Sequence, residues 1–395
     1  MKLPLSGVRV LDLSRVLAGP FCTMGLGDLG AEVIKIEEPK GGDDTRAFGP
    51  PFVNGESTYF LSINRNKKSV AIDLKNDEAR RLVQALATKC DVVVENFRPG
   101  VAARLGLGAK ELRAKNPRLI YCSISGFGQA SPTPGYDAVV QGLSGLMEVT
   151  GHPDGPPTRV GVPISDLLTG MTALQSILTA LYAREKSGEG AELDVAMLDS
   201  TVQVLTFHSA GALNAGTKPR RLGNRHASIA PYEVFEASDG LFNLAVGNNG
   251  QFAELCALLE APELVSDARF ATNPERVKNR PALAAELQPR FSKHPVAHWL
   301  KALEAKGIPC GAVLDVGQAL AQPTLAARGM LPVFQHPKAG ELKLVGSPLP
   351  GADASRAPPP VLGQHTKEVL LEVGLSPADV ERLQQSGAIR VPSPP

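Results

Sequence analysis

Short runs rich in β-branched residues punctuate the first 125 residues at Val8 to Leu13, Glu32 to Glu37, Val70 to Leu74, Asp91 to Glu95 and Leu119 to Ile124. Their length and composition predict strands. Between them the period changes: in Glu78 to Lys89, the apolar residues Ala79, Leu82, Val83 and Leu86 recur at i, i+3, i+4 and i+7, which predicts a helix burying one face. Strands alternating with such helices imply an α/β fold around a mainly parallel sheet.

Further along, Leu167, Met171, Leu174, Leu178 and Leu181 form one apolar stripe. They predict a long helix from about Asp166 to Lys186, closed by Gly188 and followed by a strand at Glu192 to Met197. Periodicity is lost over residues 210–232, where Gly, Pro, Asn and Arg accumulate, so a linker or active-site loop is expected there. A second, smaller α/β body is expected over 233–320, with Val296, Trp299, Leu300 and Leu303 on one helix face. Residues 321–395 are expected to return to the larger domain begun by residues 1–209. Their last helix is announced by Ser376-Pro377-Ala378-Asp379, a cap residue followed by proline.

At 395 residues the chain exceeds a typical single core. Its 41 Lys and Arg against 40 Asp and Glu leave a charge of +1, which gives no general attraction to nucleic acid or an anionic membrane. Neither is expected as a partner. Cys22, Cys90, Cys122, Cys256 and Cys310 are scattered and odd in number, which fits reduced thiols better than a disulfide framework or zinc knuckle. His294 and His298 stand four apart but lack a carboxylate partner in an HExxH pattern, so no metal is expected. The start of the chain lacks the apolar stretch of a signal peptide, and a cytoplasmic location is expected.

Candidate chemistry gathers at three places. Val8 to Glu37 has the length of a β-α-β unit with a Leu17-Ala18-Gly19-Pro20 turn, but it lacks G-x-G-x-x-G, so a dinucleotide oxidoreductase is poorly supported. Asn64 to Lys75 is strongly basic, and Asn96-Phe97-Arg98 with Arg104 follows a buried strand at its carboxyl end, where ligands bind in open α/β sheets. Asp166 opens the long helix, where the free N–H groups favour an ionised carboxylate. Read alone, it is a structural N-cap or a functional carboxylate.

Several segments together resemble the family III CoA-transferases: LSGVRVLDLSRVLAGPFCTMGLGDLGAEVIKIE, NRNKKSVAIDLK, VVVENFRPG, SDLLTGMTALQSILTALYAREKSGEGAELDVAMLDS, GNRHASIAPYEVFEASDG and LGQHTKEVLLEVGL. The resemblance implies a large Rossmann-like, CoA-binding domain, a smaller α/β domain and an interlocked homodimer. It makes Asp166 the catalytic nucleophile and coenzyme A a substrate and bound carrier. Contacts to CoA are implied at Val16, Leu17, Ala18, Ile72, Asp73, Leu74, Lys75, Asn96, Phe97, Arg98, Arg104 and Tyr136. Basic groups among these suit its phosphates. The family's arginine after the second strand is replaced by Glu38, with Lys40 or Arg46 as substitutes.

The implied reaction moves CoA from an acyl-CoA to a free carboxylic acid through an aspartyl anhydride and an aspartyl-CoA thioester. Gly247, Asn248, Asn249 and Gly250 are candidates for an oxyanion site or lid, or form an ordinary turn before a helix. The stretch GYDAVVQGLSGLMEVTGHPDGPPTRVGVPISDLLTG resembles dicarboxylate-using members, with Arg46 or Arg225 as candidates for the distal carboxylate. Two alternatives are a racemase of 2-methylacyl-CoA and a non-catalytic CoA-binding protein. The racemase reading is disfavoured because Tyr136 stands where the family's racemases place a histidine, and an ordinary tyrosine titrates near 10.

Overall fold

A computed structural model describes residues 3–392. The chain divides into two compact units, one of residues 3–146, 160–215 and 324–392 and the other of residues 147–159 and 216–323.

The first unit is built on a mostly parallel sheet whose strands are β1 (Arg9–Asp12), β2 (Glu32–Glu37), β3 (Lys67–Ile72), β4 (Val92–Glu95), β5 (Ile120–Ser125) and β6 (Glu192–Ala196). Their order across the sheet is β3-β2-β1-β4-β5-β6, and a short strand, Ile389–Arg390, pairs antiparallel on the outer side of β3. The chain thus winds outward one way from β1 to β3 and then the other way from β4 to β6. Between β1 and β4 the direction of winding reverses, which opens a crevice at the strands' carboxyl ends.

Helices cover both faces. On one face, α2 (Asp77–Ala87) and the C-terminal helices Thr366–Glu372 and Pro377–Gln385 pack Val83, Leu86, Val369 and Leu383 onto Leu11, Ile34 and Val93. Asn76 caps α2 by accepting from the Glu78 and Ala79 N–H groups. On the other face, α1 (Ala18–Asp28) packs with the long helix α4 (Ile164–Ser187), and Gly188 at φ 76° ends the latter. Ser376 caps the last helix in a capping box with Asp379.

α4 is long and apolar enough to cross a membrane, but Gly170, Ala173, Leu174 and Ile177 put one of its faces in the core. At Gly170 the helices touch backbone to backbone: a Cβ there would lie 2.6 Å from the Ala18 carbonyl oxygen. The expected irregular stretch from residue 210 begins instead inside a helix, Phe207–Ala215.

The second unit holds a three-stranded antiparallel sheet, Tyr232–Glu236, Leu241–Ala245 and Cys310–Ala312. Phe235, Phe242, Phe291 and Trp299 form its aromatic core, and the Trp299 indole N–H donates to the Phe291 carbonyl at 2.7 Å.

The Gly170 contact yields a test. Gly170→Ala should cost roughly 1–3 kcal/mol of stability, the usual penalty of an overpacked contact between rigid groups. A urea midpoint equal to wild type would show that α1 and α4 separate freely at this point.

Candidate active site

A cavity of about 420 Å³ opens at the crevice between β1 and β4, within the range of small-molecule sites. Arg15, Val16, Leu17 and Ala18 line it after β1, Asn96, Phe97 and Arg98 after β4, and Ser125 and Gly126 at the end of β5. Tyr136 and Asp137, at the start of α3 (Asp137–Leu143), and Asp166 on α4 complete this arc. Gly126 and Gly135 cross in the wall so closely that a Cβ on Gly126 would lie 2.5 Å from the Gly135 Cα.

The turn after β1 is held from beneath by buried charges. Asp12 accepts from the Ser14 backbone N–H at 3.0 Å, from the Thr23 hydroxyl at 2.6 Å and from the Lys67 ammonium at 3.1 Å. Lys35, also fully buried, donates to the Ser14 carbonyl and pairs with Asp43, each at 2.8 Å. Asp43 accepts in turn from the Val16 N–H at 3.3 Å and from Thr45. Burial opposes ionisation of Asp43, but Lys35 and the Thr45 donors outweigh it and hold its pKa at about 2. Burial lowers Lys67 to about 8 despite Asp12.

Val16 sits at φ 69°, a left-handed conformation that is rare for a β-branched side chain. Strain of this kind costs on the order of 1–3 kcal/mol and persists only where the surroundings over-determine it. Asn96 helps by bridging Arg15, accepting its N–H and donating to its carbonyl, both at 2.8 Å.

Asp166 is the third residue of α4, and Pro163 occupies the cap position with no side-chain hydrogen bond. The alternative reading of Asp166 as the N-cap is therefore excluded. The expected preference for an ionised carboxylate is also reversed. Burial, with Asp137 adding repulsion, raises its pKa from 3.8 to about 7. A helix N-terminus favours an anion by about 0.3–2 kcal/mol, whereas this shift corresponds to something on the order of 4 kcal/mol, so burial decides. Tyr59 is half-buried in the same field. Burial, then Asp166, Asp137 and Asp43, push its pKa up to about 12, so it keeps its proton.

Of the expected contacts, Val16, Leu17, Ala18, Asn96, Phe97, Arg98, Tyr136 and Asp166 converge on this cavity. Ile72 does not: it is buried in the core, with Asp73, Leu74 and Lys75 following at the end of β3. Most of the basic stretch preceding them turns inward, with Arg65 bound to both Asp28 carboxylate oxygens at 3.0 and 2.7 Å. Arg104 is exposed at the end of the short helix Val101–Arg104. Arg46 is already engaged, bound to both Glu37 carboxylate oxygens at 2.7 and 2.8 Å and stacked on Phe60. Arg225 pairs with Glu233 at 3.0 Å in the second unit. There too, Asn248 caps the helix Asn249–Leu258 by accepting from the Gln251 N–H, and Gly247 donates to the Gln251 side chain. Arg15, Tyr59, Ser125 and Asp137 were not singled out from sequence. Only Asp137 carried a signal, beside Tyr136 in the GYD stretch.

Residues 5–366 match the sequence pattern of CoA-transferase family III. The chain belongs to this family. It is 44% identical to succinyl-CoA:glutarate CoA-transferase of Mus musculus over 98% of this chain and 90% of that protein. It is 47% identical to acetyl-CoA:oxalate CoA-transferase of Acetobacter aceti over 88% of each. The structure superposes on that of a CaiB/BaiF family protein from Brucella suis with a TM-score of 0.84, 39% identity and coverage of 94% of this chain and 100% of that one.

Two tests follow from this family III site. Asp43→Asn removes the partner of a buried lysine and should cost roughly 3–5 kcal/mol, measurable by urea unfolding, and a loss below about 1 kcal/mol would detach the turn from this network. For Asp166 the sign runs the other way. A carboxyl group whose folded pKa is raised binds protons more tightly in the folded state, so stability falls as pH rises from about 4 to about 7. Asp166→Asn should therefore gain stability over wild type across that window and hold the gain above it. A stability difference that does not change with pH would contradict the buried, raised carboxylate.

Proposed function

We propose that this enzyme transfers CoA from an acyl-CoA to a free carboxylic acid with the Asp166 carboxylate as covalent carrier. The observation that carries this reading is a half-buried carboxylate with a pKa near 7 at the wall of the crevice cavity, in a chain of CoA-transferase family III. A weakly solvated carboxylate is a better nucleophile than a surface one, and at neutral pH a large fraction of it is ionised.

In the proposed sequence, an Asp166 oxygen attacks the thioester carbonyl and expels CoA thiolate, leaving a mixed anhydride. The thiolate attacks the Asp166 carbonyl of that anhydride, releasing the first acid and forming an aspartyl-CoA thioester. The acceptor's carboxylate then attacks this thioester, giving a second anhydride and thiolate again. Attack of the thiolate on the acceptor's acyl carbon yields the new acyl-CoA and regenerates the Asp166 carboxylate. Each step exchanges one acyl bond for another, so no external oxidant or reductant enters.

Both relatives are named for an acceptor with two carboxylates, glutarate or oxalate, which supports a dicarboxylic acid as one partner here. Succinyl-CoA or another dicarboxylyl-CoA is the proposed donor. With Arg46 held by Glu37 and Arg15 paired with Asp44, Arg98 at the cavity replaces Arg46 as the proposed partner of anionic substrate groups. Exposed Leu143, Tyr182 and Leu213 favour self-association, consistent with a homodimer.

The test combines trapping with substrate choice. Wild type incubated with acyl-CoA and then hydroxylamine should carry a hydroxamate at position 166, and Asp166→Asn or Asp166→Ala should bind CoA yet lose nearly all transfer. Trapping at another residue, or robust transfer by Asp166→Ala, rules out the carrier role. In a panel of acids, dicarboxylates should outcompete monocarboxylates, and the opposite ranking removes the substrate assignment alone.

A further inference from the structure

Asp166 is delivered to the cavity by the connection 160–165, and both ends of that connection are gripped by α3. The Asp137 carboxylate is used twice. Oδ1 accepts the Ser165 backbone N–H at 2.8 Å, and Oδ2 accepts the Gln141 side-chain N–H at 2.7 Å. Gln141 is fully buried one helical turn after Asp137, and its Oε1 accepts the Val160 backbone N–H at 2.9 Å. Pro163, in the cap position, has no side chain to offer the first turn of α4. The Ser165 N–H is one of the donors that a helix start leaves unpaired, and Asp137 satisfies it from a different helix.

We infer that Asp137 and Gln141 act as a positioning clamp that sets where the Asp166 carboxylate stands for attack. The inference rests on the reading of Asp166 as acyl carrier. A clamp of this kind needs an acceptor with two oxygens at position 137 and a group at 141 that both donates and accepts. Asp and Gln supply that pairing. A carboxylate beside the nucleophile is an electrostatic burden on it, and Asp137 holds its place through the two N–H groups that it accepts.

The polarity of the clamp makes it testable, because it can be reversed. Asp137→Asn keeps an oxygen for Ser165 but sets one amide NH₂ against another at Gln141. Adding Gln141→Glu lets the new amide donate to the new carboxylate, whose second oxygen accepts from Val160. Two readouts are taken: single-turnover acylation at position 166 beside CoA affinity, and amide exchange at Val160 and Ser165.

Asp137→Ala should slow acylation roughly 100-fold, the scale of a misplacement of about 1 Å, with most of the loss in the acylation rate and not in CoA affinity. Both amides should exchange faster. The double variant should recover about tenfold over Asp137→Asn, the scale of one regained hydrogen bond, and re-protect both amides. Acylation by Asp137→Ala at the wild-type rate overturns the clamp. So does a double variant that protects both amides yet acylates no faster than Asp137→Asn, since the charge at 137 would then matter and the geometry would not. If Asp137→Ala does not fold, the Asn and double variants decide alone. Failure of the carrier reading is distinguishable, because wild type would then show no label at 166 while amide exchange still reported the clamp.

Discussion

The site depends on four charges that water does not reach, Asp12 with Lys67 and Lys35 with Asp43. Desolvating them is costly, and buried pairs of this kind often contribute little net stability. Their effect here is geometric. Asp12 and Lys35 take opposite polar groups of Ser14, its N–H and its carbonyl, while Asp43 takes the Val16 N–H. Ser14 and Val16, in the turn after β1, are thereby fixed, with Val16 in a backbone conformation it would not adopt alone. Replacing the charges by apolar residues would remove the partners of those backbone groups, so the usual hydrophobic substitute for a buried ion pair has no equivalent here.

That fixed turn matters because α1 begins at its end and α4 lies on α1. The close contact of Gly170 with the Ala18 carbonyl ties the start of one helix to a point one turn beyond Asp166 on the other. Asp166 and the cavity wall are therefore referenced to the same backbone. The carboxylate itself works against stability: placing it near Asp137 with partial burial raises its basicity at a cost to the fold at neutral pH. Functional sites often accept such local destabilisation when the surroundings can support it. Here the supporting parts are the buried charges under β1 and the hydrogen bonds from α3.

Much of this was legible in the sequence. The periodicities placed the five leading strands, α2, α4 with its Gly188 stop, and the capped last helix, because each depends on near neighbours in the chain. Asp166 and the Leu17-Ala18-Gly19-Pro20 turn stand out from the residues themselves, and the family resemblance gives them their expected roles. What escaped were roles created by long-range contacts. Lys67 belongs to a basic run that reads as ligand-facing surface, and only the position of β3 beside β2, near Asp12, turns its ammonium inward. Arg46 looks available until the fold brings Glu37 to it. Asp137 and Gln141 have the ordinary i, i+4 spacing of a helix, and their meaning appears only when α3 lies beside the entry to α4. The cap alternative for Asp166 fails although aspartate's preference for helix starts is real, because the helix begins two residues earlier.

The crevice carries no glycine fingerprint, although the sheet order there is that of a dinucleotide-binding fold. In that fingerprint glycine supplies the tight turn after the first strand and lets backbone approach the phosphates, since it adopts positive φ without steric cost. Here the positive φ falls on Val16, and the energy that glycine would have saved is supplied by Asp43 and, through it, Lys35. A glycine turn is encoded locally and can be read from a few residues. A valine turn of this kind is encoded by residues 27 and 19 positions away, on other parts of the sheet and its loops. The same crevice can therefore be built with no local motif at all, provided that the distant carboxylate and lysine remain together.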